Sequence, residues 1–216
     1  MHIIWHGQSC FQMIIGSSKG EPVSILIDPF PAAIGLRAPS LSADLLLISH
    51  EHQDHNNRKA VRGTSFLIEG PGEYEIKGIF VQGISSFHDA QEGKERGLNT
   101  IYAIEAEGLR ICHLGDLGQK ALTDEQLEKI GDVDILMVPV GGVYTISAKE
   151  AAQVISQVEP RLVIPMHYQI LGLKIKLDGV DKFLKEMGRK QEEAEQKLVV
   201  KKQDLPEEMK VVVLKP

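Results

Sequence analysis

The 216-residue sequence has few cysteines, and this scarcity excludes two classes of site. Cys10 and Cys112 are the only two, and they lie far apart with no C-x-x-C spacing. The sequence therefore offers neither a disulfide framework nor a thiolate metal site. Both cysteines are expected to be small buried hydrophobic residues.

Long hydrophobic runs are also absent. No apolar run approaches the roughly 20 residues that a membrane-spanning helix needs. The opening segment Met1–Cys10 lacks the charged start and the apolar core of a secretory signal. We therefore expect a cytoplasmic protein without a membrane partner.

Basic residues are fewer than acidic ones, because the sequence has 30 Asp and Glu residues and 24 Lys and Arg residues, for a net charge of −6. A net negative charge repels phosphate backbones, so a nucleic-acid partner is disfavoured. The 43% hydrophobic and 25% charged content is ordinary for a globular protein and excludes disorder, collagen and coiled coils. The length suits one domain over residues 1–216.

Short β-rich runs broken by Gly, Pro and Asp dominate the sequence. The predicted strands are Ile3–His6, Cys10–Ile15, Val23–Asp28, Leu45–Ile48, Ser65–Ile68, Ile79–Phe87, Thr100–Glu105, Leu109–Leu114, Asp134–Val138, Leu162–Met166, Leu198–Lys201 and Lys210–Leu214. Capping boxes at Thr123 and Ser147 predict two helices, and a third is expected from Gly179 to Met187. The order of elements predicts two sheets packed face to face with helices outside. The charged stretch Arg189–Lys197 is expected to be a solvated helix end or loop.

A cluster of polar side chains directly follows the apolar run Leu45–Ile48. It comprises His50, His52, Asp54 and His55. In an extended loop the first two histidines project to the same side and can share one metal, while the other two residues turn toward a second position. Metal pairs about 3.5 to 4 Å apart are a known catalytic arrangement. Imidazole and carboxylate ligands without thiolate suit Zn²⁺, with Mn²⁺ and Fe as alternatives.

Three further polar side chains each follow an apolar run. They are His88, Asp116 and His167. Side chains just past the ends of strands lie on loops held by a rigid scaffold, where sites are usually built. Together with the cluster after Leu45–Ile48, these residues make seven candidate metal ligands.

These residues resemble the metallo-β-lactamase superfamily, and within it the small metal-dependent hydrolases that include the ascorbate-phosphate lactonase type. The H-x-H-x-D-H signature of that family is matched in full by the cluster of three histidines and Asp54. Three other segments are similar to the same branch, namely the opening His6–Phe11, the Pro71–Tyr74 turn and the segment Cys112–Gly118. The resemblance covers nearly the whole chain.

The resemblance implies both a fold and a set of metal ligands. The implied fold class is α/β (α+β), a four-layer αβ/βα sandwich with the metals at one edge. The implied ligands of the first metal are His50, His52 and His88. The implied ligands of the second metal are Asp54, His55 and His167. Asp116 is implied to bridge two divalent ions, with zinc preferred over manganese and iron.

Hydrolysis is the activity that such a centre is expected to support. Two metal ions that share a water lower its pKa toward 7 and polarise the oxygen under attack, so the nucleophile is a metal-activated hydroxide. Asp54 is the expected catalytic residue, because a carboxylate oxygen that does not bind metal can accept the proton of the hydroxide. The expected partner is a small-molecule ester, lactone or phosphoester.

Several alternatives to this hydrolase stay open. In the flavin-coupled di-iron members of the superfamily a glutamate typically stands at position 52, so His52 favours the zinc-type hydrolase. Mononuclear-iron dioxygenases and thioester hydrolases share the histidine. A phosphodiesterase or nuclease-type hydrolase and a non-catalytic metal-binding scaffold are further alternatives. The sequence also leaves a homo-oligomer open.

The remaining polar residues carry weaker signals. His2, His6 and His113 are expected to be structural, with support of the metal ligands as their alternative role. Glu73 and Asn99 are weaker candidates still. The side chains that could line or cover the cleft are Tyr74, Tyr144, Tyr168, Arg37, Arg96, Lys174 and Lys176. The chain has no obvious arginine cluster for a phosphate.

Overall fold

Two β-sheets pack face to face in the computed structural model, which describes residues 1–16, 20–190 and 193–216. The strands are β1 (His2–Gly7), β2 (Cys10–Ile15), β3 (Val23–Ile27), β4 (Leu45–Leu47), β5 (Phe66–Ile68), β6 (Gly72–Ile76), β7 (Ile79–Phe87), β8 (Leu98–Ala106), β9 (Leu109–His113), β10 (Ile135–Pro139), β11 (Leu162–Met166), β12 (Leu198–Val199) and β13 (Lys210–Val211). The α-helices of the described residues are α1 (Asp124–Ile130), α2 (Ala148–Val158) and α3 (Val180–Glu186). Short 3₁₀ helices span Ala32–Ile34, Arg58–Ala60 and Lys202–Asp204. None of the helices in the described ranges has the length and apolar character needed to cross a membrane.

Strand direction brings several strand ends to one edge of each sheet. The described strands of the first sheet follow the order β12-β1-β2-β3-β4-β5, and those of the second follow β13-β11-β10-β9-β8-β7-β6. In the second sheet β9, β10 and β11 are parallel, and β7 runs the same way because two antiparallel pairings separate it from β9. The carboxyl ends of β7, β9 and β11 therefore share one edge. In the first sheet β3 and β4 are parallel, so their carboxyl ends also share an edge.

The main core lies between the two sheets, and a smaller one covers the outer face of the first sheet. In β4, Leu45 and Leu47 join the core between the sheets, whereas Leu46 belongs to the outer cluster. That outer cluster includes Ile34, from a 3₁₀ helix, and Leu173, from a loop. On the second sheet α1 packs against β7 and α2 against β10, while α3 packs on α2. The expected α/β class with two packed sheets is confirmed, and the described part of the outer layer over the first sheet consists of 3₁₀ helices and loops.

One predicted turn is a strand. The segment Pro71–Tyr74 was expected to be a turn, but β6 begins at Gly72 and pairs with β7 at the edge of the second sheet. Glu73 and Glu75 are exposed on this strand. Charged residues are common on edge strands because they prevent pairing with another chain. In this segment they made the strand difficult to predict from the sequence.

The last two strands are present but shorter than predicted. β12 and β13 end two and three residues earlier than expected, and each joins a different sheet. The predicted charged loop over residues 189–197 includes Gln191 and Glu192, which lie outside the described residues.

Both predicted capping boxes are present at the helix N-termini. The side chain of Thr123 accepts a hydrogen bond from the backbone N–H of Gln126, and Ser147 accepts one from Glu150. In return, the side chains of Gln126 and Glu150 accept hydrogen bonds from the backbone N–H groups of the two caps. Each box satisfies N–H groups that the helix itself leaves without partners.

Loss of the Ser147 cap should therefore destabilise the protein. We expect Ser147→Ala to lower the free energy of unfolding by about 1 kcal/mol, the usual cost of removing such a cap. Ser156→Ala on the same helix is the control, because Ser156 is exposed and its hydroxyl donates only to the carbonyl of Ala152. Urea unfolding of both variants measures the difference. Equal transition midpoints for the two variants would contradict this account of the cap.

Candidate metal centre

The seven predicted ligands come together where strand ends from both sheets meet. His50, His52, Asp54 and His55 lie on the loop after β4 of the first sheet. The other three each lie just beyond a strand of the second sheet, on the loops after β7, β9 and β11. They are His88, Asp116 and His167. The shared direction of those three strands places the three side chains at the same edge.

The carboxylate of Asp116 lies at the middle of this arrangement. Its Oδ2 is 3.2 Å from Nε2 of both His55 and His167. The same oxygen is 3.4 Å from Nε2 of His88 and 3.9 Å from Nε2 of His50. All five residues are at least nine-tenths buried. One carboxylate oxygen thus faces four imidazole nitrogens with little water around it.

Three groups of side chains at this edge each bring their potential ligand atoms within 4.8 Å of one another. They are His50, His52 and His88; Asp54, His55 and His167; and Asp28, His50 and His55. The first two groups are the two ligand sets that the family resemblance implies. The third group shows that the two sets are adjacent, because it contains His50 of one and His55 of the other.

The residues at this edge fit a divalent metal ion. Nε2 of His50 is buried 3.9 Å from Oδ2 of Asp116, and no hydrogen-bond partner for it occurs in the described part of the chain. Buried polar atoms normally have partners, so this nitrogen points to a ligand such as a metal ion. Neutral imidazoles and carboxylates are ligands that Zn²⁺ accepts, and the cluster contains no thiolate.

Comparison with known proteins agrees with this geometry. The family model described as "Beta-lactamase superfamily domain" matches residues 2–167, a range that includes all seven predicted ligands. The chain belongs to the metallo-β-lactamase superfamily. A UPF0173 metal-dependent hydrolase of Thermococcus onnurineus is 33% identical over 192 residues, which cover 75% of this chain and 82% of that protein.

Solved structures of the superfamily share the fold. A proposed Zn-dependent hydrolase of the metallo-β-lactamase superfamily from Thermotoga maritima is 37% identical, with a TM-score of 0.78 and coverage of 99% of this chain and 97% of that one. Igni18, a metallo hydrolase of Ignicoccus hospitalis, is 19% identical, with a TM-score of 0.61 and coverage of 93% and 99%. At that lower identity, Igni18 shows similarity of fold alone.

The charge states of the side chains in this centre depend on their burial and on the ionisable side chains beside them. Burial lowers the pKa of His50 to about 3, and the neighbouring His55 adds to the effect. Burial also opposes a charge on His55, but Asp116 and hydrogen bonds to nearby carboxylates outweigh it and raise the pKa of His55. Burial alone would raise the pKa of Asp116, yet His167 and His55 hold it well below the usual carboxyl value. The centre therefore keeps its carboxylates ionised around positions that favour cations.

Asp28 supports the loop after β4 and was not singled out in the sequence. Its Oδ1 accepts a hydrogen bond from the backbone N–H of Ser49 at 2.7 Å, and its Oδ2 accepts one from the Ser49 hydroxyl at 2.5 Å. Oδ2 also lies 3.4 Å from Nδ1 of His55, which leaves Nε2 of that ring facing Asp116. Asp28 ends an apolar run, the same signal that identified His88 and His167.

Three more polar side chains fix the acidic groups of the centre. The amide Nε2 of Gln8 donates to Oδ2 of Asp54 at 3.0 Å, and the Ser9 hydroxyl donates to Oδ1 of Asp116 at 3.1 Å. Asn99 accepts a hydrogen bond from the backbone N–H of Asp116 at 2.9 Å. Asn99 was a weak candidate in the sequence, whereas Gln8 and Ser9 were not predicted individually.

Two glycines allow the segment around Asp116 to approach the other loops. Gly115 has a φ of +57°, and a Cβ there would lie 2.3 Å from Oδ1 of Asn99. A Cβ on Gly118 would lie 2.3 Å from the backbone carbonyl carbon of His88. Contacts this short exclude a larger residue without backbone movement. Glycine is therefore needed at both positions for the loop after β9 to lie this close to Asn99 and to the loop after β7.

The remaining histidines lie outside the ligand set. His113 is buried, with Nε2 2.9 Å from the carbonyl oxygen of Ser9 and Nδ1 accepting the N–H of Gly115. These contacts fit both the structural role expected for His113 and its alternative role, because Gly115 precedes Asp116 and Ser9 donates to the Asp116 carboxylate. His2 and His6 belong to β1, and Glu73 is exposed on β6.

The hydrogen bonds of Asp28 lead to a stability prediction. We expect Asp28→Asn to lower the free energy of unfolding at pH 7 by about 1–3 kcal/mol. The substitution replaces one carboxylate oxygen by an amide nitrogen, which cannot accept a hydrogen bond from Ser49 or His55. Asparagine tolerates the left-handed backbone as aspartate does, so the φ of +45° at this position adds little to the cost. The control is Asp132→Asn, an exposed aspartate. Equal urea midpoints for the two variants would show that Asp28 does not support the loop.

Proposed function

We propose that this chain is a metal-dependent hydrolase that binds two divalent ions, zinc by preference, and acts on a small ester, lactone or phosphoester. The observation that carries the proposal is that Asp116 Oδ2 lies within 3.4 Å of imidazole nitrogens from both ligand sets. The names of the relatives from Thermococcus onnurineus and Thermotoga maritima support metal-dependent hydrolysis as the activity class.

Each residue of the two sets has a defined task in this proposal. The set His50, His52 and His88 would hold the first ion. The set Asp54, His55 and His167 would hold the second ion, with Asp116 shared between them. When bound, such a pair lowers the pKa of water toward 7 and polarises the oxygen under attack. Burial of most of these side chains keeps competing water away from the charges that they carry.

Asp54 is suited to orient the attacking water. Its Oδ2 is held by the amide of Gln8 at 3.0 Å and lies 3.4 Å from Nε2 of His55. No hydrogen bond within the described residues involves its Oδ1, which is therefore free to accept a proton from water. Its side chain is 24% exposed, in contrast to the buried Asp116. Substrate and water can thus reach Asp54 from outside.

The charge state of Asp54 agrees with this role. Burial favours the neutral acid, but the hydrogen bond and the positive charge of His55 outweigh it and lower the pKa of Asp54. The carboxylate is therefore ionised at neutral pH and accepts hydrogen bonds without first losing a proton. A weakly basic carboxylate orients the water and accepts its proton as the new bond to substrate forms.

Metal stoichiometry tests the two-ion proposal. Protein purified without chelator, saturated with Zn²⁺ and freed of excess should contain two ions per chain by elemental analysis. His167→Ala should contain one, because the second ligand set loses a member. His2→Ala is the control, since His2 lies on β1 outside both sets, and it should retain two. A wild-type stoichiometry of one that His167→Ala leaves unchanged would refute the two-ion centre and favour the mononuclear-iron alternative.

The role of Asp54 is tested by turnover of a panel of lactones, thioesters and phosphodiesters under anaerobic conditions. We expect Asp54→Asn to reduce kcat by about 10² to 10⁴, the usual worth of general-base assistance, and to weaken Zn²⁺ binding much less. The control is Asp181→Asn, an exposed aspartate at the start of α3.

Other results of the same assay identify the competing functions. Turnover that requires oxygen and iron would identify the protein as a dioxygenase and not a hydrolase. Activity confined to phosphodiesters would favour the nuclease-type hydrolase. No metal-dependent turnover with any substrate of the panel would favour a metal-binding scaffold.

A further inference from the structure

A groove opens beside the first ligand set. It has a volume of about 390 Å³ and is lined by His50 and His52 together with Arg96. Much of its wall is apolar, formed by Ile48, Gly70, Pro71, Gly97 and Leu98. Small-molecule sites commonly have this size and combine apolar walls with a few polar groups that fix the ligand.

The acidic residues of the groove are paired, whereas Arg96 is not. Glu51 and Glu69 both line the groove, and Nη2 of Arg58 lies 3.0 Å from Oε1 of Glu51 and 2.5 Å from Oε2 of Glu69. None of the ion pairs in the described ranges involves Arg96. Its guanidinium carbon instead lies 4.8 Å from the centre of the Tyr144 ring. This stacking orients the guanidinium and leaves its N–H donors available to a ligand.

The loop that carries Arg96 is tied to the metal ligand His88. The carboxylate of Asp89 accepts four backbone hydrogen bonds, from residues 91, 93, 95 and 96, at 2.7 to 2.9 Å. The N–H of His88 donates to the carbonyl of Gly97 at 3.1 Å, which closes the loop. These contacts fix the backbone of Arg96 relative to the ligand sets. The Tyr144 ring in turn fixes the other end of the residue, the guanidinium group.

We propose that Arg96 determines specificity by binding one anionic oxygen group of the substrate, whose apolar body lies along Ile48, Pro71 and Leu98. This inference rests on the proposed hydrolase function, because it places the bond to be cleaved beside His50 and His52. The substrate class is therefore a small ester or lactone with an apolar body and a single anionic group.

A carboxylate fits this position better than a phosphate monoester does. The guanidinium of arginine presents paired N–H donors that match the two oxygens of a carboxylate. A phosphate dianion carries about twice the charge, and the neighbouring Arg58, which does not line the groove, is already paired with Glu51 and Glu69. Arg96 alone is thus matched to a single negative charge.

Turnover of two probes of equal carbon-chain length, one ending in a methyl group and the other in a carboxylate, tests the proposal. The probes are 4-nitrophenyl hexanoate and the mono-4-nitrophenyl ester of hexanedioic acid, assayed with the zinc-loaded full chain. We expect Arg96→Gln to raise KM for the acidic probe by about tenfold to a hundredfold, with kcat and the neutral probe changed by less than about twofold. Arg62→Gln is the control, because Arg62 is exposed and outside the groove.

Binding without turnover separates this inference from the hydrolase proposal. Calorimetry would compare 4-phenylbutyrate, its neutral amide and 3-phenylpropylphosphonate on zinc-loaded wild type, Arg96→Gln and Arg62→Gln. Arg96-dependent binding of the acid, without hydrolysis of any ester, would retain the anion site and refute the hydrolase. Tighter Arg96-dependent binding of the phosphonate would retain Arg96 as the anion-binding residue and assign it a phosphoryl group.

Three results would overturn the role of Arg96. The first is equal affinity for the acid and the amide in wild-type protein. The second is an equal loss of affinity in Arg96→Gln and Arg62→Gln, which would reflect overall charge alone. Hydrolysis of both esters with the same KM in all three proteins would leave the hydrolase in place and remove the anion site.

Discussion

Burial of negative charge beside histidines is the constraint on which this structure depends. Asp28 and Asp116 are almost fully buried, and buried carboxylates are stable only when paired with cations or hydrogen-bond donors. His55 faces both of them, and its own raised pKa and their lowered pKa values have this common cause. Divalent cations satisfy the same requirement with a larger charge. The features that stabilise the centre and the features that would bind metal are therefore the same contacts.

The fold meets this constraint through strand direction. Three loops of the second sheet reach one edge because β7, β9 and β11 run the same way, and the loop after β4 reaches it from the first sheet. The core between the sheets fixes those strands, so the positions of the candidate ligands follow from packing far from the site. Gly115 and Gly118 then allow the loops to approach within contact distance. The loop that begins at Asp89 extends this framework outward and carries Arg96 to the groove.

The sequence predicted this fold and its candidate ligands where the signal was local. Polar residues directly after apolar runs marked the loops, and serine or threonine three residues before glutamate or glutamine marked helix starts. Edge strand β6 was missed because its alternation includes exposed glutamates. Gln8 and Ser9 were missed because their partners lie 46 and 107 residues away, a distance over which no periodicity extends. The stacking of Arg96 on Tyr144 likewise depends on two loops that only the folded chain brings together.

The central proposal is that Asp116 binds between two metal ions, and X-ray diffraction at the zinc absorption edge tests it most directly. Crystals of the zinc-loaded full chain should give two anomalous peaks, one on each side of the Asp116 carboxylate. One peak should adjoin His50, His52 and His88, and the other should adjoin Asp54, His55 and His167. A single peak, or peaks away from Asp116, would contradict the account.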